Sequence, residues 1–381
     1  MDMEAIYIMD YFDEVETEEE YDGYFYNVSE VIKIIILGSL CGLKNVRQLH
    51  QWAVSDKVSE FLREKFGIER VPCYYWMLCL LKMVKPESLS ACFTRWVHGF
   101  VPEYEDEKER GGRDMTVSFD GKTVRSTGKM KAYESPLHIV SAQLAELGLT
   151  FGQKATEGKS NEIPAVRELL KELDVRGCVV VADALNCQTE TAKEIVKGGA
   201  DYLLCVKKNQ KNTYRAIENY IRGAEREKET DMFSVTEKNR GRKEKRTAYA
   251  VSSAGWFPMG KWPELACVGA IHREFEIKDK KTDEWRYYIS SREMSAEELL
   301  RRVRMEWTVE TVHWILDVDF DEDHCRVEDD HVQCNLNILR KLSINLIKLF
   351  KQNAHVKSPL SHIMFDCLLN PNNLLKLFPE N

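Results

Sequence analysis

Apolar residues at helical spacing dominate the N-terminal quarter of the chain. A stripe that begins at Val31 repeats every three to four positions, which predicts an amphipathic helix. Asn45 precedes a second such stripe, as a helix cap would, and Pro72 and Pro86 stand where further helices can begin. Residues 29–103 are therefore predicted to form a helical domain.

After a polar, charged stretch at 103–113, which indicates a domain boundary, the apolar residues take the spacing of strands. Five strands follow, with helices after the third and the fourth. The predicted strands are Met115–Phe119, Leu137–Leu144, Leu149–Ala155, Cys178–Ala182 and Asp201–Val206. This order predicts an α/β fold over 114–207, in which helices flank a mixed five-stranded sheet.

A basic, β-rich stretch at 208–292 interrupts this fold before the final helices. Its apolar and alternating runs predict strands at Thr247–Ser252, Leu265–Ile277 and Trp285–Ser290. Residues 293–381 return to helical spacing. We therefore expect 208–292 to be an insertion between two parts of one α/β core.

The charge of the chain is unevenly distributed. Its formal net charge is -8, but residues 1–30 hold eleven acids and no Lys or Arg, so the remainder carries a small excess of basic residues. We expect a flexible acidic segment at 1–28. The acidic average does not exclude a nucleic-acid partner, because the basic residues can cluster elsewhere.

No stretch of the sequence predicts a membrane-spanning helix or a secretion signal. The longest apolar run, Val31 to Leu43, is shorter than the roughly 20 residues that a bilayer requires. The N-terminus is acidic instead of basic. Eleven Cys without a CxxC pair indicate reduced thiols. These features favour a cytoplasmic protein with no membrane partner.

Two acids stand at the ends of predicted strands. Asp120 follows the first strand and precedes a glycine, and Asp183 follows the apolar run of the fourth strand. Ligands bind at the carboxyl ends of strands in α/β sheets, which makes both acids candidates for a catalytic site. The alternatives are a hairpin turn at Asp120 and a helix cap at Asp183.

A further group of acids lies on one face of a late predicted helix. Glu306, Glu310 and Asp317 share this face with His313. Alone, such a stripe is typical of a solvated helix surface, and His313 is either a structural histidine or a proton shuttle. Taken with the two acids at strand ends, Glu310 completes the layout of a ribonuclease-H-like nucleotidyl-transfer site.

Three carboxylates in one place repel each other unless divalent cations lie between them. Mg²⁺ prefers such oxygen ligands, and Mn²⁺ can substitute for it. Two ions about 3.5–4 Å apart would bind the attacking and the leaving oxygen of a phosphoryl displacement. The three acids thus predict a site for two Mg²⁺ ions.

Six motifs occur in order along the chain. They are DGKTVR, LHIVSAQ, GLTFGQKATEGKSNEI, VADALNCQ, GGADYLLCVKKNQ and EWTVETVHWILDVDFDED. With the N-terminal segments LGSLCGLKNVRQLHQWA and VPCYYW, they resemble the H-repeat-associated family of bacterial insertion-sequence transposases, part of the DDE group. By motif match Asp120, Asp183 and Glu310 take the places of the catalytic, metal-binding acids of that family.

The resemblance covers nearly the whole chain from about residue 25. It implies a ribonuclease-H-like core, a β-rich insertion before the last acid, and Mg²⁺-dependent cleavage and strand transfer of DNA. Such chemistry joins two transposon ends to a target, so we expect a homodimer on DNA in the bacterial nucleoid. Three positions differ from the family pattern: Glu306 replaces the usual His, Thr311 an Asn and Asn186 a Gly. Glu306 therefore rivals Glu310 as the third ligand.

Basic residues near these acids are candidates for contacts with the DNA backbone, although ordinary solvated surface is an equal alternative for most of them. A second group lies in the run KNRGRKEKR, which is expected to be a hairpin tip or arm on DNA. The candidates are Lys122, Arg125, Lys159, Lys207, Lys208 and Lys211, and in the basic run Arg240, Arg242, Lys243 and Arg246. The helical domain is the second part expected to recognise DNA ends.

Other functions remain open. The same core would also suit a stand-alone Mg²⁺-dependent nuclease or an inactive DNA-binding relic of a transposase. His324, Cys325, His331 and Cys334 are close in sequence but lack the usual spacing of zinc ligands. Trp314 is expected in the core more than on a base-stacking surface.

Overall fold

The computed structural model describes residues 11–19, 25–101, 114–125, 136–156, 161–223, 230–239, 242–252, 260–277 and 280–378. Within these ranges the chain forms twelve α-helices and nine β-strands. None of the helices in the described part is long and apolar enough to cross a membrane.

Five helices form the N-terminal part of the described chain. Asn27 and Asn45 cap two of them, because their side chains accept hydrogen bonds from the backbone N–H groups of Ser29 and Gln48. Gly67 ends another in the left-handed conformation that glycine tolerates best. The helices are α1 (Val28–Leu40), α2 (Val46–Ala53), α3 (Asp56–Phe66), α4 (Tyr74–Met83) and α5 (Pro86–His98).

Residues 11–19 of the acidic segment pack against these helices, where a flexible segment was expected. Phe12 is buried. Asp13 lies 3.2 Å from the amine of Lys33, and Glu16 lies 3.0 Å from that of Lys85. An apolar anchor and ion pairs thus hold this stretch in place.

All nine strands belong to one mixed sheet, in the order β3-β2-β1-β4-β5-β9-β8-β7-β6. The first five are β1 (Thr116–Thr123), β2 (His138–Leu144), β3 (Leu149–Thr156), β4 (Val179–Ala182) and β5 (Asp201–Val206). The insertion supplies β6 (Asp231–Asn239), β7 (Arg242–Ser252), β8 (Cys267–Ile277) and β9 (Lys280–Ser290).

The prediction of a five-stranded sheet was wrong in the number of strands. β1 is antiparallel to β2 and parallel to β4, and β5 is parallel to β4. The insertion then continues this sheet, because β9 pairs antiparallel with β5. Its first strand, β6, was not predicted, since its side chains are mostly polar and at least partly exposed.

Seven helices complete the described fold. They are α6 (Glu162–Glu172), α7 (Thr189–Lys197), α8 (Lys211–Arg222), α9 (Ala296–Met305), α10 (Thr308–Val318), α11 (Asp330–Asn353) and α12 (Leu360–Leu369). Most of α11 is buried, and it connects the helical part with the sheet. The Asn335 amide donates to the carbonyls of Leu81 and Val84 at 2.9 Å. The Asn345 side chain accepts from Thr150 N–H at 2.9 Å and donates to its carbonyl at 2.8 Å.

Candidate active site

Asp120 and Asp183 are neighbours in the sheet. β1 and β4 are parallel, and Phe119 lies opposite Ala182, so the residue that follows each of these two is an acid. Asp183 comes directly after the end of β4, as predicted. The first strand was predicted to end at Phe119, but β1 continues to Thr123 and pairs with β2, so Asp120 lies within a strand and not in a hairpin turn.

The loop after β4 fixes the carboxylate of Asp183. Its Oδ1 accepts hydrogen bonds from the backbone N–H groups of Leu185 at 3.0 Å and Asn186 at 3.2 Å. The Asn186 side-chain amide donates to the same atom at 3.2 Å. Helix α7 begins only at Thr189, so Asp183 is not a helix cap. The acid is instead oriented at the sheet edge.

Helix α10 brings the third acid to the same edge. His313, on this helix, has its Nδ1 3.4 Å from Oδ2 of Asp120. Glu310 lies in the first turn of α10 and is exposed. Burial raises the pKa of Asp120 to about 6, and the negative charges of Glu162, Asp183 and Glu310 add to the rise. The three predicted acids therefore interact electrostatically.

Glu306 joins this group from the turn between α9 and α10. Burial raises its pKa to about 7, and repulsion by Asp183, Asp120 and Glu310 contributes, against the attraction of Arg286. The structure therefore places both rivals for the third ligand position, the exposed Glu310 and the more buried Glu306, within the field of the same two aspartates.

Glu162 is a member of the site that sequence reasoning treated only as the opening of a helix. It is 5% exposed. Its Oε2 lies 3.2 Å from Nε2 of His138, and its Oε1 accepts from the Asn186 amide at 3.2 Å. Asn186 thus links Glu162 to Asp183. The signal available in the sequence was its place in the first turn of α6, where N–H groups favour an anion.

The chemistry of this cluster suits divalent cations. Burial raises the pKa values of Asp120 and Glu306, and repulsion by neighbouring carboxylates of the cluster adds to both shifts. A cation would relieve that repulsion, and hard oxygen ligands select Mg²⁺ or Mn²⁺. Among the described residues, no three His, Cys, Asp or Glu side chains already converge as ligands on one point. The argument that this cluster suits Mg²⁺ therefore depends on the chemistry of its carboxylate oxygens and not on an observed coordination geometry.

His313 is neutral near pH 7. Burial lowers its pKa to about 3, and the positive charges of Lys341 and Lys122 contribute. Its Nε2 is buried and has no hydrogen-bond partner within the described ranges. A neutral imidazole with Nδ1 3.4 Å from Oδ2 of Asp120 can orient that carboxylate. His313 is not a structural histidine with both ring nitrogens hydrogen-bonded, because Nε2 has no partner in the described ranges.

Lys122 and Asp317 bind each other, which corrects the expectation that Lys122 contacts DNA. The Lys122 amine pairs with Asp317 and lies 2.7 Å from Oε2 of Glu322, and its side chain is 10% exposed. The carboxylate of Asp317 is therefore paired with Lys122, and the small exposed fraction of the Lys122 side chain leaves little room for contact with a phosphate.

Arg246 is likewise occupied within the sheet. Its guanidinium lies 2.6 Å from Glu237 and 2.7 Å from Glu244. The expected DNA contact of Arg246 is thus replaced by ion pairs. The basic run does span the β6–β7 connection, but Arg240 lies outside the described residues, as do the side chains of Arg242 and Lys243.

The remaining basic candidates are exposed where they are described. Arg125 lies 3.8 Å from Asp323 and is 76% exposed. The three lysines after β5 are also exposed, and Asn209 beside them donates to the carbonyl of Ala184, next to Asp183. These lysines are Lys207, Lys208 and Lys211. Lys159 lies outside the described residues.

The expectation for Trp314 was wrong, because its side chain is 59% exposed and not part of the core. Of the four residues of the zinc alternative, His324 pairs with Asp321 at 2.7 Å, and Cys325 and Cys334 are buried.

Comparisons with known proteins show the family of this chain. Residues 111–346 match a family described as Transposase DDE domain, and residues 9–97 match the DDE_Tnp_1-associated family. YhhI of Escherichia coli strain K12, which carries the name of an H repeat-associated transposase, is 28% identical over 344 residues. That alignment covers 87% of this chain and 88% of YhhI.

Two more similarities were found. YncI of Escherichia coli O157:H7, also named as a transposase, is 35% identical over 240 residues, which is 61% of each chain. The solved piggyBac transposase synaptic complex with hairpin DNA has a TM-score of 0.46 and 9% identity, and covers 98% of this chain and 80% of its own. A structural likeness this weak carries no argument about function.

Proposed function

Because this chain belongs to the transposase DDE domain family, we propose that it cuts DNA at the ends of a mobile element and joins the released ends to target DNA. The observation that carries the proposal is the electrostatic meeting of Asp120, Asp183 and Glu310, from two strands and a late helix, at one sheet edge. The order β3-β2-β1-β4-β5 with these acids supports a ribonuclease-H-like catalytic core.

Asp120, Asp183 and Glu310 would hold two Mg²⁺ ions, with Mn²⁺ as a substitute. Bound there, the ions would activate the attacking oxygen and neutralise charge on the leaving oxygen. The protein orients its own ligands for this task. Asn186 and two backbone N–H groups fix Asp183, and Nδ1 of His313 lies 3.4 Å from Oδ2 of Asp120.

DNA is the substrate that the family implies, and the exposed Lys207, Lys208 and Lys211 lie between the end of β5 and the start of α8, next to Asn209, which bonds the carbonyl of Ala184 beside Asp183. Lysines beside a phosphoryl-transfer site suit backbone phosphates. Joining two ends to one target requires two active sites, so we propose a homodimer on DNA. The place of action would be the bacterial nucleoid.

Replacement of Asp183 by Asn tests the proposal. The substitution keeps the shape of the side chain but removes the charge that binds a cation, so Mg²⁺-dependent cleavage of a duplex carrying the DNA that flanks the gene should be abolished. DNA binding measured in EDTA should persist. Asp366→Asn, an exposed acid on α12, is the control and should cleave normally.

Product analysis in the same assay separates the candidate activities. Joined product supports a transposase, whereas cleavage without joining supports a stand-alone nuclease. A wild-type protein that binds DNA but never cuts it is a relic. Unchanged cleavage by Asp183→Asn would reject the assignment of the site.

A further inference from the structure

A groove of about 790 Å³ separates the N-terminal helices from the segment that follows α10. One wall is the start of α2 with Tyr74 of α4, and the other is the stretch 321–327. The second wall follows directly on the helix that carries Glu310. The groove therefore lies between the helical part and the segment that follows the C-terminal end of α10, the helix whose first turn carries Glu310.

Arg340 holds the two walls together. This buried residue of α11 donates to the carbonyl of Lys44 at 3.0 Å and lies 3.4 Å from Glu322. Lys44 itself donates to the carbonyl of Val318, at the end of α10, at 3.3 Å. The groove is thus a preformed feature of the fold.

The cations of the groove outnumber its available anions. Lys44, Arg47 and Arg326 are exposed, and no carboxylate within the described ranges lies at ion-pair distance from them. The wall also carries two acids, Asp321, which pairs with His324 at 2.7 Å, and Asp323, which lies 3.8 Å from Arg125. Asp319 in addition attracts Lys44. The three lining cations exceed the two lining acids by one, and this small excess of positive charge favours an anion in the groove.

Aromatic side chains lie beside these cations. The guanidinium of Arg47 lies 4.7 Å from the centre of the Tyr74 ring. Tyr74, Tyr75 and Trp76, consecutive at the start of α4, are 38%, 64% and 47% exposed. Cations interleaved with exposed aromatic rings are typical of nucleic-acid surfaces, where phosphates meet the cations and sugars or bases meet the rings.

We infer that this groove binds the DNA backbone that leads away from the reacting phosphate. Lys44, Arg47 and Arg326 contact successive phosphates, and Tyr74 packs against the adjoining sugar or base. The inference rests on the proposed function and deepens it, because it connects the acid cluster and the N-terminal helices by one continuous DNA track.

The test is the salt dependence of DNA binding by the full chain. A fluorescein-labelled duplex of arbitrary sequence is titrated in EDTA, where no chemistry occurs, with wild type and with the double variant Arg47→Gln and Arg326→Gln. Each lost phosphate contact should reduce the slope of log affinity against log salt by about 0.9, and affinity near 0.1 M salt by roughly tenfold.

Lys357→Gln with Lys376→Gln is the control. Both lysines are exposed and lie outside the groove and outside every part assigned to DNA, and their replacement removes the same charge. Thermal unfolding checks that each variant is folded, and the single variant Arg326→Gln replaces the double one if that fails. A groove variant that loses no more affinity or slope than the control overturns the inference.

The experiment distinguishes an error in the groove assignment from an error in the proposed transposase activity. If wild type binds and cuts DNA while the groove variant equals the control, only the groove assignment falls. If wild type shows no salt-dependent binding to the duplex and no Mg²⁺-dependent cleavage, the proposed function itself falls.

Discussion

At Gly121 the lack of a side chain lets a polar network approach the strand that carries Asp120. A Cβ atom at this position would lie 2.3 Å from Nε2 of His138 and 2.8 Å from Oε2 of Glu162. Both of those side chains are buried. The glycine after Asp120 therefore allows close packing within β1, where it pairs with Val140, and does not form the turn that an Asp-Gly pair usually indicates.

We expect Gly121→Ala to destabilise the protein by about 1–3 kcal/mol, because the added methyl overpacks a buried polar pair. It should also reduce Mg²⁺-dependent cleavage by displacing Glu162 and, through Asn186, Asp183. Urea unfolding measures the first effect. Gly99→Ala, whose Cβ would meet only one carbonyl at 3.3 Å, is the control. Equal stability of the two variants would show that His138 and Glu162 can move away from the added methyl group without loss of stability.

The choice between Glu310 and Glu306 is decided by comparing the Glu→Gln variant at each position. We expect Glu310→Gln to abolish cleavage or to raise strongly the Mg²⁺ concentration for half-maximal cleavage, since it removes a ligand. Glu306→Gln should keep a measurable Mg²⁺ optimum, because it removes only a neighbouring charge. The reverse pattern would assign the third ligand to Glu306.

At the scale of elements, α11 carries an unusual buried amine over the sheet. The Lys341 amine donates to Ser141 at 2.6 Å and to Gln153 at 2.8 Å. Burial lowers the pKa of Lys341 to about 7. In the unfolded chain the same amine keeps its proton to about pH 10.4. Between these values the unfolded state binds more protons, so this residue's contribution to stability rises with pH.

Lys341→Met removes that titration. As the pH rises from 7 to about 10, we expect the free energy of unfolding of wild type to increase relative to that of the variant. Urea unfolding at several pH values measures the difference. Lys357→Met, an exposed lysine, should run parallel to wild type. A Lys341→Met curve that also runs parallel contradicts the assigned pKa shift.

Element identities were largely predictable because apolar periodicity is local. β4 and β5 were placed almost to the residue by their apolar runs. The pairing of β5 with β9 was not predictable, since it joins strands far apart in sequence. At the site, Asp183 was found because the end of an apolar strand is visible in sequence, whereas Asp120 was singled out although β1 continues three residues beyond it. Glu162 was not, because its role depends on His138 and Asn186 from two other elements.

On the scale of the whole molecule, the helical part and the sheet share one core through α11. Asn335 bonds the end of α4 and Asn345 bonds β3. If α11 detached, buried backbone groups in the helical part and in the sheet would lose their hydrogen-bond partners. Each unsatisfied group would lower the stability by about 1–3 kcal/mol. Neither part can therefore unfold alone at low cost.

We accordingly expect one cooperative unfolding transition. Tryptophan fluorescence reports both parts, since Trp52 and Trp96 are buried among the N-terminal helices and Trp262 lies near the sheet. Far-ultraviolet circular dichroism reports the helices. The two signals should coincide in urea. Separate transitions would show that the helical part unfolds independently. The contacts of α11 would then contribute little to the coupling of the two parts.

The position of α11 near the end of the chain has a consequence for synthesis. Its residues leave the ribosome after the early helices and the strands that they pack against, so until residue 353 has emerged the nascent protein exposes apolar surfaces on both. Such intermediates are prone to aggregation and depend on chaperones. A gene copy truncated before residue 330 would accordingly yield no stable product, even with Asp120, Asp183 and Glu310 intact.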